Sequence, residues 1–85
     1  MATETMKNMR TEIQTALIVG VGATLAAICK QNGRNFTQAE KDDMRNRLKQ
    51  RLLDEFKPYF IEANIARPDA IGIVSQVVDV ELAKY

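Results

Sequence analysis

Histidine and tryptophan are absent from this 85-residue chain, cysteine occurs once and proline twice. Without histidine there is no imidazole base, and neither a Ser-His nor a Cys-His nucleophile pair. Metal centres lose their commonest nitrogen ligand, and Cys29 alone supplies thiolate sulfur. A single thiol makes no internal disulfide, which points to a reducing compartment. Charge of one sign is also lacking: 12 basic residues face 11 acidic ones, for a net charge of +1. A bulk electrostatic pull toward nucleic acid or anionic lipid is therefore missing. The opening MATETMKNMRTEI puts Glu4 and Glu12 ahead of the first apolar run, and no clean small-residue cleavage site follows that run. Both features depart from a secretory signal. The expected location is cytoplasmic, or within a soluble assembly.

What is present fits one small helical domain over residues 1–85. Hydrophobic residues make up 46% and charged residues 27%, an ordinary balance for a folded chain. A chain of this length buries only roughly 60–65% of its unfolded surface, so its own core is small. There is no internal repeat, low-complexity tract or flexible linker.

The spacing of apolar residues predicts an all-α fold. Met6, Met9, Ile13, Leu17, Val21, Leu25 and Ile28 recur at steps of three and four, a helix over about Thr3 to Gln31. Lys30 in the last turn and Asn32-Gly33 beyond it mark the stop. The competing reading, a buried strand pair with Gly20 and Gly22 as bulges, suffers from a run too long for one strand. A second helix opens at Thr37, where TQAE is a capping box. Met44, Leu48, Leu52, Phe56 and Phe60 form its apolar stripe, widened by Leu53 and Tyr59, with charge over much of the remainder. Pro58 is expected to end or kink it. Pro68 and Asp69 then open a shorter C-terminal helix carrying Ile71, Val74, Val78 and Leu82. The alternation of Val78, Val80 and Leu82 leaves a strand as the other reading over Ala70–Lys84.

The first helix raises the functional question. No charge falls between Ile13 and Cys29. Ala16, Gly20, Ala23 and Ala27 fall at heptad steps as a seam of small residues, beside a ridge of Leu17, Val21, Leu25 and Ile28. A helix apolar all round lies in a membrane or inside a sizeable protein mass. Small residues let another backbone come close in either setting. Two neighbouring helices cover roughly two-thirds of a helix circumference, so a compact monomer leaves part of this one open. The run covers about 26 Å, slightly short of a 30 Å hydrocarbon core. It is diluted by Gln14, Thr15 and Thr24, and it has neither an aromatic belt nor a charge bias between its flanks.

Candidate chemistry is thin. Cys29 stands at a helix C-terminus, where the dipole disfavours thiolate, and reads as a small buried side chain. Asp42, Asp43, Asp54 and Glu55 are near in sequence but do not converge on a helix. GVGATL lacks the Gly-Lys-Ser/Thr ending of a phosphate loop. In RNRLKQR, Arg47 and Arg51 share a face while Arg45 points away, and Asp43, Asp54 and Glu55 offer internal ion pairs. No catalytic, cofactor-binding or metal residue is assigned, and no enzyme, cofactor or small-molecule substrate is expected. The expected role is a non-catalytic structural or interaction subunit. It packs its apolar helix into a homo-oligomer or a larger multiprotein assembly, with itself or other protein subunits as partners. The alternative is a single-span membrane protein using Ile13–Cys29, and behind it a nucleic-acid or regulatory binding module. The seam and ridge above are the candidate interaction residues.

Overall fold

The computed structural model describes the backbone from Ala2 to Tyr85 and the side chains from Met9 onward. It is all-α, with three helices and, among the described residues, no strand: α1 Ala2–Asn32, α2 Gln38–Glu62 and α3 Arg67–Leu82. The short connections 33–37 and 63–66 turn the chain back each time, so neighbouring helices run antiparallel. The Phe36 ring meets the Tyr85 ring at a centroid distance of 5.9 Å, which brings the end of α3 beside the α1–α2 turn.

Each boundary has a local cause. α1 ends at Gly33, whose φ of 72° is open to glycine without strain, and the Gly33 amide donates to the Cys29 carbonyl at 2.9 Å. α2 starts on the capping box. The Glu40 amide donates to Thr37 Oγ1 at 3.2 Å, and the Thr37 amide donates to Glu40 Oε1 at 2.9 Å. The Arg34 guanidinium clamps the same carboxylate at 2.7 and 3.2 Å. Arg34 first, then the Thr37 amide and hydroxyl, hold the Glu40 carboxyl down at about 2.

Two linked outcomes follow for this cap. Thr37→Ala is expected to cost about 0.5–2 kcal/mol in urea denaturation, and Thr37→Ser much less. Because Glu40 is depressed in the fold, its contribution is full above about 4.5 and fades as pH falls toward 2. The melting temperature of wild type should therefore exceed that of Glu40→Gln at neutral pH and converge with it near pH 2. A gap that persists at acid pH would mean that the ionised carboxylate is not what holds this cap.

Of the two outcomes expected at Pro58, an end of the helix there is corrected. α2 runs through it to Glu62. Proline removes one amide, whose acceptor four residues back would be the Asp54 carbonyl; both residues lie on the exposed side of α2, where a helix tolerates the loss better than in the core. The stop comes later, at Asn64, with φ 56°. There the Ile65 amide donates to the Phe60 carbonyl at 2.9 Å and the Asn64 amide to Ile61 at 3.0 Å, a paired C-terminal cap. The ambiguous third segment is helical because Val78 and Leu82 are buried while Val80 between them is exposed, a four-residue and not a two-residue period.

α3 is the centre of the bundle. It packs extensively on both α1 and α2, whereas α1 and α2 touch each other sparingly. Its Val74, Val78 and Leu82 join Leu17, Val21 and Leu25 of α1 and Leu52 and Phe60 of α2 in one apolar cluster. Arg45 adds an ion pair to Asp79 across α2 and α3 at 2.8 Å, with Lys49 at 3.6 Å from the same carboxylate. These exposed pairs contribute about 0.2–1 kcal/mol each at most and serve mainly to set the register.

Candidate interaction surface

Successive residues of α1 step round the helix by about 100°. The ridge therefore faces α3 while other residues face away. Leu17, Val21 and Leu25 are 0%, 1% and 0% exposed, and Ile28 is partly buried. These bulky members of the expected interaction set are occupied by the chain's own core. The small members are not: Ala16, Gly20, Ala23 and Ala27 are all exposed. A Cβ built on Gly20 would meet nothing within 4 Å, so open space stands beside the seam.

The uncovered face is wider than the seam. Val19 is 65% exposed and Ile18 46%. Toward α2, where packing is sparse, a cleft of about 350 Å³ is lined by Met9, Glu12, Ile13, Ala16, Phe56 and Tyr59. Toward α3, Ile18 and the exposed Val80 flank a second cleft with Gln14, Gln76 and Lys84. From Ile13 to Cys29 no charged side chain of α1 enters this surface. Val19, Ile18, Tyr59 and Val80 escape a reading based on small residues alone. Angular position signals Val19, which lies nearly opposite Val21 on the helical wheel, but not Ile18, which stands only about 60° from Val21.

The basic residues of RNRLKQR are engaged elsewhere. Arg47 pairs with Asp43 at 3.2 Å and Arg51 with Glu55 at 2.8 Å, both one turn apart on α2. Arg45 is held by Asp42 and Asp79. The basic cluster of RNRLKQR is thus interleaved with carboxylates and forms no one-sided stripe of the kind a phosphate backbone needs. Glu81 is 5% exposed, with Oε2 against Lys84 Nζ at 2.6 Å. Its other oxygen lies 3.6 Å from where a Cβ on Gly22 would sit, so α1 approaches this carboxylate through a residue without a side chain. Cys29 is half-buried beside the core. Among the described residues, no three histidine, cysteine or acidic side chains gather as a metal site would require.

Fold and surface together define a small all-α three-helix domain that carries one long, largely uncovered apolar helix. Against known proteins, the chain matches no family model, no curated protein and no solved structure.

Proposed function

We propose that this chain is a non-catalytic helical interaction subunit, acting in a soluble compartment, that joins other protein through the outer face of α1. One observation carries the reading: Ala16, Val19, Gly20, Ala23, Ala26 and Ala27 are exposed together on a helix whose opposite side is sealed in the core. Exposed apolar patches of this continuity mark interaction sites on soluble domains. Small residues favour another helix as the occupant, since they permit close backbone approach.

A membrane span is the second reading, supported by Met9–Asn32 being long and apolar enough to cross a bilayer. Spanning would pull Leu17, Val21 and Leu25 out of the cluster and leave Val74, Val78 and Leu82 of α3 facing water. Burial of each such side chain stabilises by about 1.5–3 kcal/mol, so the bundle opposes that extraction.

Sedimentation in detergent-free buffer tests the reading. Wild type is expected to sediment above 9.6 kDa, and Ala23→Lys to fold normally, by far-UV circular dichroism, but lose association. The lysine would stay in water on the free domain and be buried unpaired in a complex, at a cost of several kcal/mol. Wild type extracted only by detergent would overturn the soluble reading in favour of the span.

A further inference from the structure

We propose that a second copy of this chain covers the outer face of α1 in an antiparallel, two-fold arrangement, with Glu12 of each copy against Lys30 of the other. The inference rests on the interaction-surface reading and names its partner.

The charge pattern points to this occupant. Glu12 and Lys30 are each nine residues from Val21, on either side. At about 100° per residue, both lie half a turn round from that buried side chain, on the outermost line of the helix. Both are exposed, and among the described residues neither belongs to an ion pair, although most other acidic and basic groups of the bundle do. Between them the line reads Ala16, Val19, Ala23 and Ala26, all exposed. One end of the strip is therefore acidic, the other basic, and the middle uncharged.

Such a strip complements itself in one direction only. Turned end for end about the level of Val21, Glu12 meets Lys30 twice and Ala16 meets Ala26 twice. Val19, the bulkiest residue on the line, meets Ala23 of the other copy, a projection against a small residue. A two-fold interface of this kind uses the same patch on both copies. Paired in parallel, the strip sets Glu12 against Glu12 and Lys30 against Lys30, like charges at both ends. The steps of four and three keep the line on a shallow left-handed crossing of about 20°, and small residues bring axes to about 8 Å. Over the roughly 27 Å between Glu12 and Lys30, that crossing keeps both ends within side-chain reach.

Charge reversal tests the arrangement. Wild type, Glu12→Lys, Lys30→Glu and the double variant would be compared by sedimentation at low and physiological salt, with circular dichroism as the control for folding. Each single reversal changes two attractions into repulsions and should weaken the dimer roughly tenfold at low salt, less at higher salt. The double variant should regain the wild-type dissociation constant. A dimer indifferent to the single reversals, or not rescued by the double, overturns the antiparallel pairing. So does a ready self-cross-link of Lys30→Cys in a Cys29→Ser background under an added oxidant, because residue 30 meets its own copy only in parallel. If Ala23→Lys still disperses an assembly that ignores the reversals, the outer face is an interface for something other than this pairing. A wild type monomeric at high micromolar concentration removes the self-pair outright, and vesicle flotation of that monomer would assign the face to lipid.

Discussion

Leu17→Lys is expected to unfold the domain, while Ile18→Lys, one residue along, is expected to fold. Leu17 is 0% exposed at the centre of the cluster shared by all three helices. Truncating a buried leucine alone costs about 2–5 kcal/mol. Lysine adds an ammonium with no partner in that site, and a small domain has only about 5 kcal/mol or slightly more to lose. Ile18 is 46% exposed, so a lysine there lays its stem along the surface and keeps its charge in water. Its effect on folding should stay near 1 kcal/mol or less. Urea unfolding followed by circular dichroism separates the two. A cooperative transition for Leu17→Lys near the wild-type midpoint would mean that α1 does not pack on α3 through this ridge. Read as sequence, both positions sit in an uncharged helix with no wet side, and both lysines look equally damaging. Within the single chain the two positions part, because the bundle covers one side of α1 and leaves the other open.

Pro58→Ala is expected to raise stability by about 1–2 kcal/mol. Proline in a helix interior costs about 3 kcal/mol relative to alanine, and part of that is offset by the restraint it places on the unfolded chain. Pro58 is exposed and lies more than a turn inside the end of α2. Alanine would restore the amide that donates toward the Asp54 carbonyl without disturbing the core. In a domain of this size each kcal/mol moves the melting temperature by about 4–8 °C. Pro68→Ala is the control, because Pro68 stands in the first turn of α3, where an amide has no helical acceptor in any case. That change should leave the melting temperature level or slightly lower it. An equal response at both prolines would show that α2 is not continuous through Pro58.

The local devices were legible because they depend on neighbours in sequence. TQAE names both partners of the cap, and Asn32-Gly33 names the left-handed stop. What they omit is the third partner: Arg34 reaches Glu40 only once the turn has folded. Asn64 as the stop of α2 was hidden behind Pro58, which carries a stronger breaking signal than asparagine. The Val78–Val80–Leu82 run was ambiguous for a different reason. Its residues satisfy a two-residue and a four-residue period alike, and only the position of α1 against α3 selects between them.

One long apolar helix, one capped amphipathic helix and a third segment open to helix or strand follow from composition and periodicity, which act at separations of a few residues. So does the lack of imidazole and of thiol pairs, which excludes whole classes of chemistry whatever the fold. Which side of α1 is used inside the molecule was decided by tertiary structure. The ridge and the seam are both apolar, and hydrophobic burial is non-directional, so neither has a stronger local claim on the core. Volume breaks the tie: Leu17, Val21 and Leu25 bury far more area against α3 than Ala16, Gly20 and Ala23 would. The bulky side turns inward, and the small-residue side, with Val19 on its outer line, is left facing out.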